Sequence, residues 1–169
     1  VDDVRWLDDG EFRAWIGYRR MRGLLDLRIG RDLVDDSGLS EPDYDVLSGL
    51  GDAEGHRCRL SELAARMLWS KSRLSHHIIR MQGRGLVVKE DCADDGRGAV
   101  VVLTDKGRRT LEEAAPAHVA SVRRHFIDLL TGEEIATLGA ITERVLAHLA
   151  HLAHLADQPD GPARPPARA

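Results

Sequence analysis

The sequence predicts a mainly α fold carrying one small β-hairpin, on three observations. Apolar residues recur at helical spacing over most of the 169 residues. The period shortens to two in one region, "LVVKEDC" and "AVVVLT", and the intervening "ADDGRG" has the polar and glycine content of a turn. With 43% hydrophobic residues, a chain of this length buries a real core.

The elements follow in order. From Glu11 to about Arg31, Phe12, Trp15, Ile16 and Arg19, then Leu24, Leu25 and Leu27, stand close to helical spacing, with Gly30 as the expected stop. Ser40 is an N-cap candidate for a second helix, with Pro42 in its first turn, apolar positions Tyr44, Val46, Leu47 and Leu50, and glycines 51 and 55 at its end. "RCR" is a short polar strand candidate. It leads into a brief helix capped by Ser61, with Leu60, Leu63, Ala64 and Met67 inward.

"SKSRLSHHIIRMQGRGL" then predicts a helix capped by Ser70, running to Arg84 and ended by a left-handed Gly85. Trp69 precedes the cap and Leu74 occupies the fourth helical position, the two places that pair in a hydrophobic staple. Two short helices joined by a tight turn form a helix-turn-helix, and the hairpin after them forms a wing. Thr104 caps a further helix, which contains Pro116 as an expected kink and continues through "RRHFIDLL". Thr131 caps a last helix with apolar residues at 135, 138, 141, 145, 149, 152 and 155. "DQPDGPARPPARA" carries the composition of a disordered tail.

Charge distribution narrows the function. The net charge is −4, yet residues 57–109 hold 12 Lys/Arg against 6 Asp/Glu, so this middle carries +6 and the remainder −10. A basic middle between acidic flanks points to an anionic partner. The two cysteines, Cys58 and Cys92, are too few for a disulfide framework, which makes a cytoplasmic location the expectation. No apolar run suits a membrane span, and "VDDVRWLDDG" does not read as a secretory signal. No metalloprotease, phosphate-loop or nucleophile-elbow motif is present, so no enzyme and no cofactor are expected.

On a helical projection, Leu74, Ile78 and Met81 fall within about 60° of one another, which makes them a core stripe. Ser72, Arg73, His76 and Arg80 cluster on the far side, where Arg suits paired contact with guanine and hydroxyls suit phosphate or base edges. Ser70, Lys71 and Ser75 complete the candidate DNA-contact set as phosphate ligands. His77 faces away from this surface. Gly83, in the final turn, costs roughly 1 kcal/mol relative to alanine and loosens the joint to the wing.

The stretch Leu60–Gly107 resembles the MarR family of bacterial transcription regulators. The resemblance rests on "LSELA", the capped "SKS" helix, "RGLV", the D-x-R pair Asp95 and Arg97 in the wing loop, and "LTDKG". The outer helices are similar to the family only in order and patterning. The resemblance implies a mainly α winged helix-turn-helix protein that binds double-stranded DNA as a homodimer on a palindromic operator. It further implies that Arg97 enters the minor groove with Asp95 holding its guanidinium. The expected division is residues 1–36 and 108–156 for dimerisation, 37–107 for DNA binding and 157–169 as tail.

The resemblance also implies a ligand-responsive repressor answering to a small aromatic acid or phenol. Trp15, Tyr18 and Arg19 are candidates for an aromatic wall and a carboxylate partner, against the simpler reading of Trp15 as core and Arg19 as surface. A metal-responsive variant would use His148, His151 and His154, or His118 with His125. The three-residue repeat turns around the helix with its leucines, however, and no Cys or Glu cluster completes a ligand set, so no metal site is expected. A redox variant is disfavoured: the first helix lacks cysteine, and acidic neighbours raise the Cys92 pKa. A winged-helix module that binds protein alone is the remaining alternative.

Overall fold

The computed structural model describes residues 4–91 and 98–156, with the side chains of Asp91 and residues 153–156 outside that description. Its elements are α1 (Asp9–Ser37), α2 (Glu41–Gly51), β1 (Arg57–Arg59), α3 (Leu60–Arg66), α4 (Lys71–Gly83), β2 (Val87–Asp91), β3 (Ala99–Leu103), α5 (Asp105–His125) and α6 (Gly132–Ala156). Short 3-10 turns lie at Glu54–His56 and Ile127–Leu129.

The first helix is longer than its periodicity suggests. Asp8 caps it in a reciprocal box with Glu11, and it passes straight through Gly30 to end at Gly38, whose φ of 68° is left-handed. The expected stop at Gly30 fails because Asp32 and Leu33, one turn further on, are buried and keep the helix going. Ser40 caps α2 as expected, and the residue that completes its box is Asp43.

The sheet has three strands in the order β1-β3-β2, antiparallel throughout, with Cys58 opposite Val101 and Val88 opposite Val102. The hairpin is therefore present, and the short "RCR" strand joins it on the β3 side. That pairing carries the chain directly from β1 into α3. The N-cap of α3 is Arg59, without a side-chain cap bond, and Ser61 lies inside the helix, contrary to expectation.

The core of residues 4–125 gathers Leu33 of α1, Leu39, Val46, Leu47 and Leu50 around α2, Leu63 and Ala64 of α3, and Leu74, Ile78 and Met81 of α4. Leu86, Val87, Val101 and Leu103 of the wing close it with Ala114 of α5. Leu74, Ile78 and Met81 are each fully buried, so the expected stripe is the one the core uses. Trp69 is half-buried against this core.

The wing is tied to α5 at its root. Thr104 Oγ1 accepts a bond from the Gly107 amide at 2.9 Å and donates to the Gly85 carbonyl at 2.7 Å. Gly85 adopts φ 73°, and a Cβ on Gly107 would overlap the Leu86 carbonyl oxygen. Glycine is thus required at both positions, one for its dihedral and one for a close backbone approach. α5 runs through Pro116 as one helix and ends at His125, short of the expected Leu130.

α1 and α5 pack together through a polar junction. Asp32 accepts from Ser121 Oγ at 2.8 Å, faces His125 Nε2 at 2.9 Å and pairs with Arg28 at 3.1 Å. The Ser121 bond leads in holding the Asp32 carboxyl below the ordinary range.

Residues 126–156 belong to a second unit built on α6, which Thr131 caps in a box with Glu134. Its Ile135, Ile141, Val145, Leu149 and Leu152 are exposed. None of the described helices is long and apolar enough to cross a membrane.

Candidate nucleic-acid interface

α4 presents two faces. Leu74, Ile78 and Met81 face the core, while Lys71, Ser72, Arg73, His76 and Arg80 are exposed and Ser75 is half-buried. Ser70 Oγ accepts the Arg73 amide at 3.2 Å as the helix cap, which leaves its O–H free to donate. No acidic residue lies in the first turn, so the amide-rich N-terminus and three cationic side chains of α4, Lys71, Arg73 and Arg80, share one surface.

Beneath that surface lies a polar shell. Asp43 is 5% exposed. Its Oδ2 accepts from Arg84 Nη1 at 2.6 Å and from the Ser40 amide at 3.1 Å. Its Oδ1 lies 3.0 Å from His77 Nε2, a close ion-pair contact without the alignment of a hydrogen bond. Burial raises the Asp43 pKa, but the bonds from Arg84 and Ser40 and the charge of Arg84 outweigh it, leaving the carboxyl below its ordinary range. For His77 burial dominates and lowers the pKa; Asp43 opposes this, and Arg80 and Arg73 reinforce it.

The shell also reaches outward. Arg80 Nη2 lies 2.9 Å from His77 Nδ1, and the Arg73 guanidinium carbon lies 3.9 Å from the centre of the Trp69 ring. Trp69 and His77 meet edge to face at 5.6 Å. Trp69 therefore supports an arginine and a histidine as well as the core. Asp43, Arg84 and the supporting role of His77 were not visible in the sequence, although Ser40-x-x-Asp43 had the capping-box pattern that marks Asp43 as oriented.

Asp95, Arg97 and Cys92 lie outside the described residues. Trp15 and Tyr18 are both half-exposed, with rings stacked at 6.3 Å and Arg19 lying 5.8 Å from the Trp15 ring centre. In the single chain Trp15 stands outside the core of residues 4–125. Cys58 is buried, and burial raises its thiol pKa, the mark of an inert thiol. His118 lies against Tyr44 with the rings tilted by 38° and His125 contacts Asp32, so the two serve different partners. His148 and His151 are exposed. Among the described residues no group of three His, Cys, Asp or Glu side chains gathers as a metal site.

A MarR family sequence model matches residues 37–98. AbsC, a MarR family transcriptional regulator from Streptomyces coelicolor, is 43% identical, superposes with a TM-score of 0.82, and the match covers 88% of this chain and 99% of that one. The chain belongs to the MarR family. Sco3205, a MarR family regulator of the same organism solved in complex with DNA, is 37% identical with a TM-score of 0.83 over 88% of this chain and 93% of that one. The regulator HosA of Escherichia coli O127:H6 is 31% identical over 118 residues, 69% of this chain and 84% of HosA. The chain is accordingly a DNA-binding transcription regulator, and the mainly α winged helix read from its sequence is the MarR fold.

Proposed function

We propose that two copies of this chain bind a palindromic operator as a homodimer, in the cytoplasm, and repress transcription until a small aromatic acid or phenol releases them. Within this reading residues 37–107 bind DNA, residues 1–36 and 108–156 dimerise, and residues 157–169 are a tail. The observation that carries it is the division of α4 into a buried apolar stripe and an exposed face bearing Lys71, Arg73 and Arg80. That face suits a major groove, with Arg73, Ser72, His76 and Arg80 toward base edges and Ser70, Lys71 and Ser75 toward phosphates. Arg97 is assigned to the minor groove on family resemblance, with Asp95 holding its guanidinium.

Dimerisation is supported by the exposed apolar residues of α1, Phe12, Ile16, Leu24 and Leu27, and of α6, Ile141, Val145, Leu149 and Leu152. Apolar surface of this extent on soluble helices marks an association site. A dimer seated on a promoter excludes other proteins from it, which gives repression its physical basis. The Trp15, Tyr18 and Arg19 cluster offers stacking faces and a cation to an aromatic carboxylate.

Light scattering combined with a salt titration of binding to genome-selected duplexes tests the reading. A dimer with a steep negative log–log salt slope is expected. A monomer, or a protein that binds no duplex, contradicts it, and the latter result would favour the protein-binding module. A thermal-shift screen of aromatic acids and phenols tests the effector, with a flat response across the set removing it.

A further inference from the structure

We propose that Trp69 and His77 are positioning residues that hold the guanidinium groups of Arg73 and Arg80 for base reading, and so set operator specificity without touching DNA. The inference rests on the reading of α4 as the recognition helix.

The geometry joins the two arginines to one support. On a helical projection Ser72, Arg73, His76 and Arg80 span about 100°, and the core stripe begins about 80° beyond Arg73. His77 falls in the gap between them. It is 5% exposed, whereas both arginines stand in solvent. A long, exposed arginine ordinarily samples many rotamers and loses that freedom when it binds. Here each is already engaged. Arg73 lies 3.9 Å from the Trp69 ring centre, a stack that occupies the face of the guanidinium and leaves its in-plane N–H donors for a base. Arg80 donates through Nη2 to His77 Nδ1 at 2.9 Å and retains its other donors.

The donation from Arg80 requires a bare Nδ1, so neutral His77 carries its proton on Nε2. That nitrogen faces Asp43 Oδ1 at 3.0 Å, and Asp43 is itself fixed by Arg84 and the Ser40 cap. The groups facing His77 are Asp43 from α2, Arg73 and Arg80 from its own helix, and the Trp69 ring from the preceding turn. A chain of contacts thus runs from the N-terminus of α2 to the exposed tips of α4.

Side-chain isosteres separate positioning from folding. Gln places an amide N–H near the His77 Nε2 position and offers nothing at Nδ1; Asn places a carbonyl oxygen near Nδ1 and offers nothing at Nε2. Phe in place of Trp69 keeps a ring under Arg73, and Leu does not. The test measures affinities of His77→Gln, His77→Asn, Trp69→Leu, Trp69→Phe, Arg73→Ala and Arg80→Ala for a genome-selected duplex and every single base-pair substitution of it. Thermal melts run alongside.

His77→Gln is expected to lose the base preferences that Arg80→Ala loses, with affinity for the selected site down roughly two- to tenfold, while His77→Asn retains them. Trp69→Leu is expected to mirror Arg73→Ala in the same way, with Trp69→Phe retaining the parent's preferences. If His77→Gln does not fold, the Trp69 pair decides. Parental preferences in His77→Gln and Trp69→Leu, beside lost preferences in the two arginine variants, overturn the positioning role and leave the α4 reading intact. Parental preferences in Arg73→Ala and Arg80→Ala overturn the α4 reading and this proposal with it.

Discussion

Arg84 Nη1 donates to Asp43 Oδ2 over 2.6 Å, joining the end of α4 to the first turn of α2 across 41 residues of sequence. The carboxylate is 8% exposed and the guanidinium 44%, so the pair is only partly screened by solvent. Replacing Asp43 with Ala removes the partner of Arg84, the contact of His77 Nε2 and half of the Ser40 capping box together. A loss of about 2–4 kcal/mol is expected in urea denaturation, with Asp43→Asn costing less because it keeps the shape and one acceptor.

Stability should fall as the solution is acidified. Burial depresses the pKa of His77, and also of His118, whose ring lies 4.2 Å from Tyr44 and whose Nδ1 is buried without a hydrogen-bond partner among the described residues. An unfolded histidine takes up its proton near about pH 6.5, before the folded one does, so the unfolded state binds more protons there and stability rises with pH. Asp43 and Asp32, both depressed, add stability that is present above the unfolded carboxylate range and lost as pH falls through their folded values. Melts between about pH 7.5 and about pH 5 should show a falling midpoint, with His118→Gln flattening the first part of the decline.

Two glycine-to-alanine changes should have opposite signs. At Gly83 an added Cβ meets nothing within 4 Å and the residue is helical, so Gly83→Ala should stabilise by about 0.5–1 kcal/mol. At Gly107 the Cβ would meet the Leu86 carbonyl, so Gly107→Ala should cost at least about 2 kcal/mol or displace the wing from α5. Chemical denaturation of both variants provides the comparison.

Leu68 holds a place in the turn that suits glycine. Its φ is 55°, it is 92% exposed, and the Trp69 amide bonds back to the Ala64 carbonyl at 2.9 Å as in a Schellman helix end. Leu68→Gly should raise stability by about 0.5–1 kcal/mol, because relief of the left-handed conformation exceeds the entropy glycine loses. A melting midpoint at or below the parent's would refute this.

What was legible in the sequence was what repeats. Ser40, Ser70, Thr104 and Thr131 could be read as caps because a capping hydroxyl stands at a fixed offset from its helix, and Leu74, Ile78 and Met81 as core because the helical period is short-range. Gly30 does not end α1 because glycine is compatible with a helix interior, and only burial of Asp32 and Leu33 against other elements decides that the helix continues. Ser61 does not cap α3 because β1 pairing, a contact with residues more than 40 positions away, delivers the chain into the helix two residues earlier, at Arg59. The site followed the same rule: exposed α4 residues were readable from the projection, while the Asp43 shell beneath them depends on α2 meeting α4. Trp69, expected only as a staple, also carries Arg73.

The most direct measurement is the affinity of the parent and of Arg73→Ala for a genome-selected operator and its complete set of single base-pair substitutions. Arg73→Ala is expected to bind the selected site more weakly, by about 1–3 kcal/mol per half-site, and to lose discrimination at one base pair in each half. Equal affinity and an unchanged pattern of preference would contradict the assignment of α4 as the element that reads DNA.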